Sequence, residues 1–392
     1  MGKINFSLVV FLLAITGCNE SKRAIDKMSD DLITVDVMTT DYPMKELILQ
    51  DFMDVEYIAL ETNDDFINEG LVQAVGQNIL VVKNGNDDGD IFIYSRKTGE
   101  AIRKINHKGQ GAEEYVSISR IVLDEDENEM FVIDNSAKRM LIYNLEGKFK
   151  RSFKFPENTM YKKIFNFDKQ NLICYNFSPS NQGTLFTIIS KQDGRITQEI
   201  QIPYEEKRTI TITLKDEAKD MIYGAGFTIY PIIPLSDNNN WILVEPSSDT
   251  IYCYSSEHEM KPFLTRTPSI QSMDPEVFLF LNVVTDRYYF MGIVKKEYSF
   301  TTNTGFPSNY MMYDRQEQSI FRYTVYNNDY SNKKTVNIFS PENSEVAFYN
   351  RINPSELVDS YNKGELKGKL KEIAATLDED SNPVIMVVKY KK

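Results

Sequence analysis

Residues 118 to 153 hold a complete four-strand unit, and weaker copies of it recur along most of the chain. Ile118 to Leu123 is a mostly apolar run, Asp124 to Asn128 an acidic turn, and Glu129 to Ile133 a second apolar run. Lys138 to Tyr143 supplies a third, Leu145-Glu146-Gly147 a tight turn, and Lys148 to Phe153 alternates as a half-exposed fourth. Short runs of this composition, split by turns of a few residues, predict one small twisted antiparallel sheet.

The copy upstream keeps the same grammar: Leu71 to Val75, Asn78 to Val82, Asp90 to Tyr94 and Ala101 to Ile105, with Tyr94 and Gly99 matching Tyr143 and Gly147. A third copy runs from Lys162 to Ile202, a looser fourth from Thr228 to Leu264, and a fifth from Val277 to Val325. A sheet of four short strands cannot bury both faces alone, so units spaced by about 50 to 60 residues must stack. The leftover segments Val55 to Leu60, Glu345 to Ile352 and Val384 to Tyr390 supply a sixth unit from both ends of the chain. The predicted fold is therefore all-β: a six-bladed β-propeller over residues 32 to 392, closed by joining first and last strands in one blade. A short C-terminal helix precedes the closing strand, because Leu366, Leu370, Ile373, Ala374 and Leu377 form one apolar stripe. Asn362 and Glu365 resemble its capping box.

The first residues carry an address. Lys3 is followed by an apolar run from Phe6 to Ile15 and then by Thr16-Gly17-Cys18. Such a run is too short to span a bilayer, which takes about 20 residues, but suits a secretory signal. Ending on cysteine, it resembles a bacterial lipobox, with residues 1 to 17 as signal peptide and Cys18 as the acylated, palmitate-type anchor. Residues 18 to 31 then read as a polar tether. The expected location is the cell envelope, lipid-anchored, at the outer membrane and facing either the periplasm or the surface.

Composition removes other classes. A formal net charge of −13 argues against nucleic acid, and with 12% aromatic and 42% hydrophobic residues the chain is globular. Cys174 and Cys253 lie in apolar strands of different blades and read as buried thiols. His107 and His258 are the only histidines, so a three-histidine metal centre is impossible, and neither metal nor cofactor is expected. Asn84 to Asp90 has part of a calcium-loop spacing but Ser95 at the twelfth position, so a hairpin turn is expected there. Trp241 reads as blade core. Pro203 to Gly226 and Thr301 to Asn309 fall outside the blade grammar and read as loops on a face.

The chain resembles the six-bladed β-propeller lipoproteins abundant in gut-type Gram-negative anaerobes, which are similar in blade style to NHL-repeat propellers. Val55-Glu56-Tyr57-Ile58-Ala59-Leu60-Glu61-Thr62, Lys108-Gly109-Gln110-Gly111-Ala112-Glu113-Glu114-Tyr115, Asp249-Thr250-Ile251-Tyr252 and Asn382-Pro383-Val384 carry the likeness. Ala112 and Glu113 depart from it, standing where Pro and Gly are typical. The resemblance implies the fold and no particular activity.

Function remains divided at this stage. The connector from Gly109 to Tyr115 should lie near the mouth of the central channel, making His107, Gln110, Glu113, Glu114 and Tyr115 the candidate ligand-binding residues. The same residues also read as a turn with Tyr115 packed between blades. One reading is a non-catalytic, monomeric envelope lipoprotein binding a glycan, a peptide or an envelope protein. The alternative is a propeller lyase or hydrolase using channel-mouth carboxylates and His107.

Overall fold

The computed structural model describes residues 32–157, 159–176, 185–237 and 239–391; the signal-like run and Cys18 lie outside them. Its principal sheets are the six expected blades. Blade 1 comprises Leu71–Val75, Ile79–Lys83, Asp90–Ser95 and Ala101–Asn106; blade 2 comprises Arg120–Asp124, Glu129–Asp134, Arg139–Tyr143 and Phe149–Lys154. Blade 3 runs through Tyr161–Asn166, Asn171–Asn176, Phe186–Ser190 and Ile196–Ile200, and blade 4 through Ile232–Pro234, Asn240–Leu243, Thr250–Ser255 and Met260–Thr267. Blade 5 holds Val277–Val284, Tyr288–Lys295, Ser308–Asp314 and Ser319–Tyr326. In blade 6, Val346–Ile352 pairs with Val384–Tyr390, which pairs with Met53–Ala59 from the other end of the chain.

Alternation along the strands explains why these sheets form a ring. In blade 1, Leu80 and Val82 face blade 6 within one apolar cluster, while Val81 faces blade 2 within another. Further clusters fill the seams between blades 2 and 3, 3 and 4, 4 and 5, and 5 and 6. Every sheet thus buries both faces, and each fully buried Leu, Ile or Phe contributes about 1.5–3 kcal/mol. The outer strand Phe149–Lys154 keeps the period-two exposure its sequence implies, whereas every residue of Glu129–Asp134 is buried.

Gly99, Gly147 and Gly194 occupy equivalent turns, and each abuts the blade before it, at Ala59, Ile105 and Phe153. The turn glycines recognised in the repeat therefore set the spacing between blades as well as the turn.

Two features depart from the sequence reading. First, the N-terminal segment does more than close one blade. Ile33–Asp36 adds in parallel to the outer strand of blade 4, and Met44–Ile48 adds in parallel to the outer strand of blade 5. The chain so forms a strap across two blades before entering the sixth. Second, the helical region is two helices, Pro354–Asn362 and Gly368–Ala374. Asn362 ends the first helix and does not cap the second. The cap belongs to Asn353, whose side chain accepts from the Ser355 N–H ahead of Pro354. Gly364, at φ +70°, lies in the break between them. The apolar stripe itself is placed as expected, with Leu366, Leu370, Ile373 and Ala374 buried against blades 5 and 6.

The insertions are ordered by packing. Thr211–Asp216 and Met221–Gly226 make a hairpin. Phe227 beyond it and Phe306 of the second insertion meet the same blade 5 residues, Phe278, Phe280 and Val294.

Candidate functional site

The connector residues are brought together at the seam between blades 1 and 2. Tyr115 is fully buried; its hydroxyl donates to the Gly89 carbonyl at 2.7 Å and accepts from the His107 N–H at 2.9 Å. The His107 ring stacks on Tyr143 at 5.0 Å between centroids, and Nε2 lies 2.8 Å from the Gly147 carbonyl oxygen. Glu114 accepts from the Gly111 N–H at 2.8 Å and folds the loop back on itself. The Glu113 carbonyl accepts from the Tyr143 hydroxyl at 2.5 Å, and the Glu114 carbonyl accepts from Arg139. The side chains of Gln110 and Glu113 are exposed. Burial pushes the Tyr115 phenol up to about 12. None of these residues walls the axial cavity, so His107 does not lie with the channel-mouth carboxylates.

That cavity, about 650 Å³, lies inside the ring. All six blades contribute, from Ala74 to Gln77 in blade 1 through Arg120 to Glu127, Ile164 to Lys169, Pro234 to Ser236 and Asp286, to Asn343 to Glu345 and Tyr390 in blade 6. Its mouth is rich in carboxylates, but several of them brace seams. Asp124 receives Lys191 at 2.6 Å, and Lys191 also donates to the Asp168 carbonyl at 2.8 Å. Glu125 accepts from the N–H groups of Asn78 and Ile79, at 3.1 and 3.0 Å. Arg96 joins Glu56 at 2.7 Å and Glu345 at 3.4 Å. Trp241, the sole tryptophan, belongs to the wall and is only 3% exposed, as its reading as blade core requires.

Deeper in the ring, Arg120, Lys163 and Glu342 come together from blades 2, 3 and 6. Arg120 and Glu342 line the cavity, and all three residues are half-buried. Enclosure holds the Lys163 ammonium below the usual lysine range, helped by Arg120 and opposed by Glu342. Enclosure likewise raises the Glu342 carboxyl, against the pull of Arg120 and Lys163. Lys163 Nζ stands 5.0 Å from the Tyr230 ring centroid. Tyr349 is committed elsewhere, its hydroxyl donating to the Val72 carbonyl at 3.2 Å. Sequence reading missed this cluster, because its members sit at one strand start, in a Lys-Lys pair and in a loop. Only closure of the ring makes them neighbours.

A second, polar cleft of about 680 Å³ adjoins the mouth through Glu127, Lys169 and Lys191. Arg151 bridges it, pairing with Glu129 at 2.6 Å and donating to the Lys191 carbonyl at 2.8 Å. His258 reaches its edge, held by the Tyr254 hydroxyl at 2.8 Å. Cys174 and Cys253 are free and buried, and burial raises both thiols. In the loop from Asn84, the amide donates to Asp88 at 2.7 Å while Asp88 accepts from the Asp90 N–H at 2.9 Å, and Glu69 and Asn106 tie the turn to its neighbours. Among the described residues no group of three or more His, Cys, Asp or Glu side chains could hold a metal ion. No helix among them is long and apolar enough to cross a membrane.

Fold and cavity together define a six-bladed β-propeller with an axial pocket. The chain belongs to the family described as a domain of unknown function, DUF4934, whose pattern matches residues 32–389. It is similar in fold to a protein of Bacteroides fragilis NCTC 9343 named as exported, with 16% identity over 92% of this chain and 99% of that one, at a TM-score of 0.54. A DUF4221 family member from Bacteroides vulgatus is 12% identical over 88% of this chain and 99% of its own, at a TM-score of 0.39. Virginiamycin B lyase from Staphylococcus aureus is 12% identical over 67% of this chain and 89% of its own, at 0.33. Similarity at the level of these last two carries no functional weight. No curated protein matches the chain.

Proposed function

We propose that the chain is an envelope protein held to a membrane through a lipid on Cys18, whose propeller binds a small polar ligand or partner group in the axial cavity without turning it over. The observation that carries this reading is the cavity itself, walled by all six blades and open at a polar mouth. Asp124, Glu125 and Glu345 are engaged in bracing the ring, and His107 is held in the seam between blades 1 and 2, so His107 and the mouth carboxylates have no common point of attack. The strap starts at the rim of blade 4, which suits a tether. The 13 residues from Asn19 to Asp31 reach at most about 45 Å when extended. That length lifts the ring off a membrane while keeping it close.

The anchoring half has its own test. Several acyl chains hold firmly, since each buried methylene contributes about 0.8 kcal/mol. A Cys18→Ser chain expressed with its signal run should leave the membrane pellet for the soluble fraction, measured by immunoblot after ultracentrifugation. Unchanged sedimentation of that variant would overturn the lipid anchor.

A further inference from the structure

We infer that Arg120 and Lys163 form a subsite for a compact oxyanion, a carboxylate or phosphate-type group on the ligand that enters the axial cavity. The inference rests on the ligand-binding reading above and names the chemistry of its deepest contact.

Three observations converge on it. Arg120 and Glu342 line the same cavity from blades 2 and 6, the two neighbours of blade 1. Lys163, on the inner strand next to that of Arg120, is electrostatically coupled to both. Among the described residues, none of the three side chains makes a hydrogen bond or an ion pair within 4 Å. The cations nearer the mouth behave otherwise: Lys191 has a carboxylate at 2.6 Å and a carbonyl at 2.8 Å, and Arg96 has two carboxylates. Two half-buried cations beside one carboxylate leave an unbalanced positive charge that an anionic ligand would offset.

An oxyanion between Arg120 and Lys163 resolves this. The guanidinium offers a planar fork that matches either carboxylate or phosphate, and the ammonium adds a point charge from the neighbouring strand. Glu342, which lines the same cavity, disfavours a second anionic group and so limits the site to one. The Tyr230 ring beneath Lys163 restricts where the ammonium can move. Three of the mouth's carboxylates, Asp124, Glu125 and Glu345, are matched by seam donors, which reduces the repulsion an entering anion meets.

The test is isothermal titration calorimetry on the chain from residue 19 onward, which holds every blade, with sodium phosphate and sodium acetate as separate probes. The wild type should bind at least one of them. Arg120→Gln and Lys163→Gln should each weaken that binding about tenfold or more, the range expected for losing one charge-assisted hydrogen bond. Glu342→Gln should tighten it. Melting of Lys163→Gln without ligand should occur at or above the wild-type temperature, because an enclosed charge has gone, and this separates lost binding from lost fold. Phosphate binding alone assigns a phosphorylated ligand and acetate binding alone a carboxylate. Binding of neither probe, or equal binding by Arg120→Gln and Lys163→Gln, overturns the subsite. A wild type that takes a neutral oligosaccharide at the mouth but neither anion would overturn the subsite and leave the ligand-binding reading standing.

Discussion

Replacing Gly99 by valine should lower stability by about 3–5 kcal/mol, seen as a large drop in the urea unfolding midpoint. Two causes act together. Gly99 holds φ at +78°, a region that β-branched residues enter only at a cost of about 1–2 kcal/mol. A Cβ there would also lie 1.9 Å from the Ala59 carbonyl oxygen and 2.9 Å from its carbon. Those atoms are backbone and cannot rotate away. They also belong to the N-terminal strand of blade 6, and the Gly99 carbonyl accepts from the Glu61 N–H at 2.9 Å, so the clash prises open the seam at which the ring closes. Gly364→Val is the control. Its φ of +70° is similar, but nothing lies within 4 Å of the added atom, so only the conformational cost of about 1–2 kcal/mol should remain. Equal midpoints for the two variants would mean that the seam contact does not matter.

Acid should weaken the strap through Asp314. Its side chain is fully buried, and burial alone would raise its pKa. Hydrogen bonds from Arg287 and Lys45 and from the Gln316 N–H outweigh that effect and hold the carboxyl at about 2, against an ordinary 3.8. The distances are 3.0 Å to Arg287, 2.7 Å to Lys45 and 3.0 Å to the Gln316 nitrogen. Because the folded value is depressed, the contribution is fully present above pH 3.8 and is lost as the pH falls from there toward 2. Its size is about 2 kcal/mol. Lys45 lies in the strap strand Met44–Ile48, so the same carboxylate ties the strap to blade 5. Asp314→Asn should therefore lose about 2 kcal/mol at pH 7 and admit trypsin at Lys45 sooner than the wild type. Urea titrations of the two proteins should converge as the pH approaches 2. Parallel curves across that range would show that Asp314 does not provide the acid dependence.

The residues that were legible in the sequence are those whose partners lie close along the chain. Met130 to Ile133 and Met140 to Tyr143 pair across a short turn, and the apolar pattern of each strand states which seams it fills. The matched glycines at 99 and 147 were visible because the repeat aligns them. The strap was not visible: Ile33–Asp36 pairs with Leu264 to Thr267, and parallel addition to an outer edge needs no turn residue that would announce it. The first helix and the break after it were missed because the stripe from Leu366 to Leu377 spoke for one helix, while the stronger signal, Asn353-Pro354-Ser355-Glu356, lay upstream. Placing the connector beside the channel mouth followed from its position between blades, yet Tyr115 is drawn into the seam by Gly89 and Tyr143. Arg120, Lys163 and Glu342 carry no local mark at all, since their meaning comes from a ring closed over more than 200 residues of intervening chain.

The most direct test of an axial binding site blocks its mouth. Ser236 is exposed and lies on the cavity rim. Cys174 and Cys253 are buried, so in a Ser236→Cys chain beginning at residue 19 a bulky thiol reagent addresses the new residue alone. That protein, unlabelled and labelled, can be applied to an array of neutral and acidic glycans. The prediction is binding to a subset of glycans by the unlabelled protein and loss of that signal on labelling. Binding that persists with the mouth blocked, or that Gln110→Ala and Glu113→Ala abolish instead, would contradict the axial site and return the search to the connector between blades 1 and 2.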